Sequence, residues 1–283
     1  MTLGKLKDQF HIELQRLYEK SQIEVLFQIM AHEVLGLNSI ELRSSLPQKI
    51  SDIDLKRLQD LLKELKTSRP YQQILGKTEF YRLEFKVNEE VLIPRPETEE
   101  LIELALLELE KASYGKKEFS LLDIGTGSGV IPIVLNKHFP LAKVHALDIS
   151  EGALDVAKEN AKKHHTDVHF FLKDILSEDP NQNYDVIFSN PPYIGIEEKD
   201  EIEKSVKEYE PNLALFSPTK DPLIFYKRIA TLLKSHLNDD GFLFLEINQK
   251  LGKETLELYR PNLSEVKLIQ DLSGNDRFIV GKK

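Results

Sequence analysis

The sequence contains no cysteine in 283 residues, which excludes disulfides, thiolate metal sites and cysteine nucleophiles. A reducing, cytoplasmic setting is the expectation that goes with it. No continuous apolar run is long enough to span a bilayer, so no membrane segment is expected. The first ten residues mix Lys and Asp with apolar side chains, and no signal peptide is expected there. Internal repeats and low-complexity tracts are missing as well. A basic surplus is also lacking: Lys and Arg total 38 against 47 Asp and Glu, a formal charge of −9. Proteins that grip free nucleic acid draw much of their affinity from phosphate neutralisation, so this balance favours a protein or small-molecule substrate. What is present is ordinary for a globular chain: 41% hydrophobic and 30% charged residues, and a length suited to about two domains.

Residues Leu3 to about Leu65 read as amphipathic helices. Ser21-Gln22-Ile23-Glu24 matches a capping box, followed at helical spacing by Ile23, Leu26, Phe27, Met30 and Val34, with Gly36 as the stop. Another helix starts near Ser51 or Asp52 and places Leu55, Leu58, Leu61, Leu62 and Leu65 along one side. Spacing alone does not separate a bundle packed for its own stability from an adaptor that docks a macromolecule. From Thr78 to Ile93 the apolar residues alternate, which predicts a β-hairpin turning at Asn88-Glu89. Pro96 suits a first helical position, with Glu97, Glu99 and Glu100 at the positive end of the helix dipole. Tyr114 to Lys117 reads as a polar linker.

From Ser120 onward strands and helices alternate, the mark of a mainly parallel sheet covered on both faces. Strands are predicted at Leu121–Ile124, Lys143–Leu147, Val168–Leu172, Val186–Ser189, Phe242–Ile247, Val266–Ile269 and Phe278–Val280. Helices fall near Gly129–His138, Gly152–His164, Pro222–Leu237 and Lys250–Tyr259. The turn Asp271–Asp276 is too short for a parallel crossover, so one antiparallel edge strand is expected.

Asp123-Ile124-Gly125-Thr126-Gly127-Ser128-Gly129-Val130 lies where the first of these strands meets its helix. Glycines there permit a tight turn and close approach of a ligand to the backbone. The dinucleotide fingerprint needs a glycine where this chain has Val130, so a smaller ligand is indicated. Asp148 at the next strand end is placed to accept from both hydroxyls of a ribose. Asp174 could meet an exocyclic amine of adenine, with Ile175 packing on the ring. Finally, Val186 to Phe188 runs into Asn190-Pro191-Pro192-Tyr193, an amide, two residues without N–H donors and an aromatic ring. That loop suits the grip of a planar –NH₂ group presented to an electrophile. His164, His165 and His169 sit near a helix end and a strand and read as surface or packing residues, with no metal expected.

These blocks together resemble the release factor glutamine methyltransferase family of class I S-adenosylmethionine-dependent methyltransferases. The closest matches are Arg69 to Gly76, Val91 to Glu99 and Asn190 to Tyr193. Asp123 to Gly129, Glu210-Pro211 with Ala214-Leu215, Leu245-Glu246-Ile247 and Asp271 to Arg277 support them. Two positions depart from the family pattern: Asn248 stands where a glycine is expected, and Pro132 lies early in a helix, where proline is tolerated.

The resemblance implies an α/β fold, a Rossmann-like methyltransferase domain over residues 95–283. A helical substrate-docking domain at 1–76 and a β-hairpin linker at 77–94 precede it. It implies S-adenosyl-L-methionine as cofactor, held by Gly125, Thr126, Gly127, Ser128, Gly129, Asp148, Asp174, Ile175 and Asn190. It implies a substrate site of Asn190, Pro191, Pro192 and Tyr193, with Asn190, Pro191 and Tyr193 catalytic. The substrate implied is the glutamine of a Gly-Gly-Gln motif in peptide chain release factors. A monomer without direct nucleic-acid binding is expected. Asn-Pro-Pro-Tyr also occurs in enzymes that methylate exocyclic amines of adenine or guanine in DNA or RNA. That activity, and a non-catalytic cofactor-binding module, are the alternatives.

Overall fold

The computed structural model describes residues 1–195, 198 and 204–283. The chain forms two compact units, Met1–Leu75 with Glu203–Tyr209, and Gly76–Ile202 with Glu210–Lys283.

In the first unit, α1 (Leu3–Leu14), α2 (Lys20–Leu35), α3 (Ser39–Ser45), α4 (Asp52–Leu65) and α5 (Tyr71–Leu75) follow in order. Leu6, Phe10 and Leu14 recur at helical spacing on α1 and are fully buried against Ile23, Phe27, Met30, Leu58 and Leu62. Phe10 meets Phe27 edge to face at 5.1 Å. Ser51 caps α4 as expected, accepting from Asp54 N–H at 3.1 Å, and Gly36 ends α2 in the left-handed region. The start of α2 differs from the sequence reading. Glu19, not Ser21, is the N-cap, and its N–H donates to Gln22 Oε1 at 2.9 Å. The same three-residue spacing occurs two positions earlier, and a carboxylate serves in place of the hydroxyl.

The second unit opens with β1 (Lys77–Phe80) and β2 (Leu83–Lys86), an antiparallel pair. Its turn is Tyr81-Arg82 rather than Asn88-Glu89. Both turn residues have positive φ, +50° and +59°, in a pair that carries no Gly or Asn signal. Tertiary contacts hold them: Tyr81 donates its N–H to Glu99 at 2.7 Å and its hydroxyl to Glu103 at 2.6 Å. Val87, Val91 and Ile93 are buried in the following loop without joining a strand.

After α6 (Pro96–Lys111) come β3 (Phe119–Ile124), α7 (Val130–His138), β4 (Ala142–Asp148), α8 (Glu151–His164), β5 (Val168–Leu172) and β6 (Tyr184–Ser189). The short helices α9 (Lys204–Tyr209, part of the first unit) and α10 (Asn212–Leu215) precede α11 (Ile224–His236) and β7 (Leu237–Glu246). Then α12 (Gly252–Tyr259), β8 (Glu265–Gln270) and β9 (Asp276–Lys282) complete the chain. Tyr114 is core rather than linker: it is 4% exposed and packs edge to face on Phe119 and Phe242.

Among the described residues the larger sheet has seven strands in the order β5-β4-β3-β6-β7-β9-β8. This is the mostly parallel, doubly covered α/β sheet that the alternation predicts. The antiparallel strand is β9, and it lies one place in from the edge, between β7 and β8, instead of on the edge itself. Leu121, Val186, Phe188, Phe242 and Phe244 face one core with α6 and α7. Leu122, Ile187, Leu243 and Leu245 face another with α11. Burial on both faces accounts for near-continuous apolar strands instead of alternation.

Candidate functional site

The site lies where strand order reverses. β3 is hydrogen-bonded to β4 on one side and β6 on the other, all parallel, so their carboxyl ends open a crevice. Ile124 and Ser189 are register partners, and Ser189 Oγ donates to Ile124 O at 2.8 Å. The glycine loop after β3 and the Asn190 loop after β6 therefore leave the sheet side by side.

Gly125, Gly127 and Gly129 have φ of +76°, +54° and +80°, the left-handed region that L side chains avoid. A Cβ on Gly129 would also lie 3.0 Å from the Ala157 Cβ. Gly129→Ala should accordingly cost about 1–3 kcal/mol of stability, read as a lower denaturant midpoint of the cofactor-free protein. An unchanged midpoint would remove the claim that this conformation is fixed. Loop N–H groups of Gly125 and Thr126 donate to Leu147 O, at 2.9 and 3.0 Å.

Asp148 ends β4 and accepts from Gly127 N–H and Ser150 N–H, each at 2.9 Å, which ties it to the glycine loop. Burial raises its carboxyl. Asp174 follows β5 and is engaged locally, accepting from Leu176 N–H and the Ser177 hydroxyl at 2.9 Å. Ile175 is 5% exposed and packs in the core under α11. Thr126 and Ser128 are buried in the loop.

Beneath this loop is a side chain to which the glycine pattern gives no role. Asp123 is wholly buried, and among the described residues neither carboxylate oxygen has a hydrogen-bond partner; the Thr126 hydroxyl lacks one too. Burial pushes the Asp123 carboxyl up to about 7, with the neighbouring Thr126 hydroxyl, outside hydrogen-bonding geometry, opposing the rise and the Asp148 charge adding to it. An unpartnered buried carboxylate is costly unless a cation or donor meets it.

On the β6 side, Asn190 Nδ2 donates to Thr98 Oγ1 at 3.3 Å, and the Thr98 hydroxyl donates to Glu246 Oε2 at 2.7 Å. Tyr193 OH donates to Glu246 Oε1 at 3.4 Å. Glu246 is 1% exposed. Burial brings its carboxyl up to about 7, against the pull of Thr98 and Arg277, with the Glu97 charge adding to the rise. Burial, chiefly, raises the Tyr193 phenol as well. Asn248 takes advantage of its side chain: Nδ2 donates to Tyr193 O at 3.0 Å, fixing the end of the tetrad. Its φ is −64°, so nothing there requires glycine. Pro132 sits within the first turn of α7 and does not interrupt it.

The block around Arg95 is held in place by one buried carboxylate. Glu210, 4% exposed, accepts from Ile93 N–H at 3.0 Å and from Arg95 at 2.7 Å. Arg277 pairs with Asp271 at 3.2 Å beside the same crevice. Thr98, Glu246 and Asp123 were thus not assigned roles from the sequence. For Glu246 a signal existed, a charge inside the apolar run Phe242 to Ile247. His164 packs on Phe85 at 4.8 Å and bonds to Glu84 O, a packing arrangement.

A Methyltransferase small domain model matches residues 103–208. A protein of Flavobacterium psychrophilum named release factor glutamine methyltransferase is 44% identical over 281 residues, covering 99% of this chain and 98% of its own. One of the same name from Bacteroides thetaiotaomicron is 39% identical, covering 95% and 96%. A crystal structure of a methyltransferase from Pyrococcus furiosus shares the fold, with a TM-score of 0.51 at 19% identity, over 75% of this chain and 94% of that one.

Proposed function

The chain belongs to the release factor glutamine methyltransferases, and on that premise we propose that it methylates the side-chain nitrogen of the glutamine in the Gly-Gly-Gln motif of peptide chain release factors. The observation that carries this reading is the emergence of the glycine loop and the Asn190 loop from paired strands, donor site against acceptor site.

The residues fit S-adenosylmethionine. When bound, it supplies a methyl group made electrophilic by a sulfonium, and it also carries an ammonium. Asp123, buried with the Thr126 hydroxyl near it and no hydrogen bond formed among the described residues, matches that ammonium in charge and in lacking a donor. Asp148, at the end of β4, suits the ribose hydroxyls. Asp174 and Ile175 are assigned to the adenine. Gly125, Thr126, Gly127, Ser128 and Gly129 form the wall that the cofactor lies across.

A glutamine amide is a weak nucleophile because its lone pair is delocalised into the carbonyl. Asn190 Oδ1 and the Pro191 carbonyl would accept its two N–H groups, turning the nitrogen face towards the methyl. These two acceptors would stabilise the positive charge that the nitrogen gains as the methyl leaves the sulfonium sulfur, which departs as a neutral thioether, and the surplus N–H proton would then pass to solvent. Pro191 and Pro192 contribute no N–H that would compete for the carbonyls. Tyr193 supplies a flat surface for the planar amide. The contribution is positioning and electrostatics.

Docking of the release factor by the helical unit, a monomeric state and a cytoplasmic location belong to the same proposal. Among the described residues, no helix is long and apolar enough to cross a membrane. The test is methyl-label transfer from the cofactor to a purified release factor. The factor with its native Gly-Gly-Gln glutamine should label, and its Gln→Ala version should not. Equal labelling of both, or label only in added DNA or RNA, would reject the acceptor.

A further inference from the structure

We propose, building on the reading that Asn190 offers its carbonyl to the substrate amide, that Thr98 and Glu246 are positioning residues that decide which end of the Asn190 amide faces the substrate. An asparagine can present either Oδ1 or Nδ2, and the two ends have opposite hydrogen-bonding character. Only Oδ1 can accept from a glutamine –NH₂. Something behind Asn190 must therefore choose.

The choice follows from one hydroxyl proton. Thr98 Oγ1 is 2.7 Å from the Glu246 carboxylate, which can only accept, so the hydroxyl proton lies on that bond. Towards Asn190, at 3.3 Å, Thr98 then has only lone pairs to offer. The amide must turn Nδ2 to it, and Oδ1 is left for the crevice. The second oxygen of Glu246 accepts from Tyr193 OH. A single buried carboxylate thus orients both side chains of the tetrad, and Thr98 at 3% exposure has no solvent to compete for its proton.

Protonating Glu246 turns one of its acceptors into a donor and reverses the hydroxyl facing it, Thr98 or Tyr193. A proton on Oε2 leaves the Thr98 hydroxyl free to donate to Asn190, so the amide is no longer held with Nδ2 towards it, whereas a proton on Oε1 makes Tyr193 the acceptor of the same bond. The groups facing Glu246 are Glu97 and Thr98 from α6, Tyr193 from the loop, Tyr226 from α11 and Arg277 from β9. With the carboxyl raised by burial to about 7, kcat should decline as pH falls below neutrality.

The test uses the full chain with cofactor and release factor, and compares Thr98→Val, Thr98→Ser and Glu246→Gln. Thr98→Val preserves shape and removes the hydroxyl. It should lower kcat about 10–100-fold with cofactor Kd unchanged, and Thr98→Ser should restore most of the loss. Glu246→Gln should lower kcat and flatten its dependence on pH near neutrality. The side-chain –NH₂ resonances of Asn190, identified by their loss in Asn190→Asp, should shift with pH near 7 in the native protein and not in Thr98→Val. Native kcat in Thr98→Val, a Thr98→Ser variant as impaired as Thr98→Val, or Asn190 resonances indifferent to the Thr98 hydroxyl would each overturn the positioning role. If the native chain transfers no methyl to the release factor, the acceptor assignment falls, and the Asn190 resonances still decide the positioning.

Discussion

Asn190→Ala should keep most of its cofactor affinity, by calorimetry, although the family resemblance counts Asn190 among the cofactor residues, and lose methyl transfer by about 10²–10³-fold. The separation follows from where the two functions are anchored. The glycine loop and Asp148 are fixed by their own hydrogen bonds to β4, at Leu147 O and at Gly127 N–H, and none of these passes through Asn190. Removing the Asn190 amide takes away one of two acceptors for the substrate nitrogen while leaving the other, the Pro191 carbonyl. The nitrogen then rotates about the remaining hydrogen bond, and the face that carries its lone pair is no longer aimed. Because the loss is realised as charge develops, it belongs in kcat more than in KM. Thr98 and Glu246 remain satisfied by each other, so the variant should fold with little change in melting. Unchanged turnover would remove Asn190 from the reaction. Loss of cofactor binding in step with turnover would make it a cofactor ligand first.

The sheet was legible in the sequence because its strands are buried on both faces. Runs such as Val186-Ile187-Phe188 and Phe242 to Leu245 have no polar face to blur them. The position of β9 was not legible. A short turn after Asp271 requires an antiparallel partner, yet nothing in the strand's own residues says that it inserts between β7 and β8. The Tyr81-Arg82 turn was hidden for a related reason. Tyr81 in this turn is held by Glu99 and Glu103 on the next helix, 18 and 22 residues on, beyond the reach of local turn signals, and local chemistry favours Asn88 instead. At the site, the glycine spacing and the Asn190 tetrad announce themselves because each has a backbone requirement that few residues meet. Thr98 does not, since a hydroxyl in the first turn of a helix ordinarily satisfies that helix. Here it reaches Glu246, 148 positions away. Glu210 and Arg277 are read in the same way: residues quoted for the family resemblance make local ties, Glu210 to Ile93 and Arg95, and Arg277 to Asp271 across the β8–β9 turn.

Asp123→Asn should have two effects of opposite sign, and their pH dependence separates them. The Asp123 carboxyl is raised in the fold from 3.8 to about 7, with burial as the main cause. For an acid shifted upward, the protonated form is the one the fold favours. The resulting stability is complete below the unfolded value, and it is lost as pH rises towards and through about 7. The difference amounts to at most about 4 kcal/mol between the acid and alkaline limits. Asparagine cannot ionise, so cofactor-free Asp123→Asn should melt above the native protein at pH 8, and the two should converge near pH 4.

Cofactor binding should move the other way. An ammonium beside Asp123 favours the carboxylate, so binding releases a proton at pH values below about 7 and native affinity weakens as pH falls. The neutral amide forgoes a charge-assisted hydrogen bond, and affinity at pH 8 should drop about 10–100-fold. Calorimetry across pH 5.5 to 8.5 should show a native Kd that falls with rising pH and a nearly level one in the variant. Titrations in two buffers of different ionisation enthalpy should report the released proton in the native chain alone. An Asp123→Asn protein that binds cofactor with native affinity and native pH dependence would show that the carboxylate is a buried cost with no cofactor to offset it.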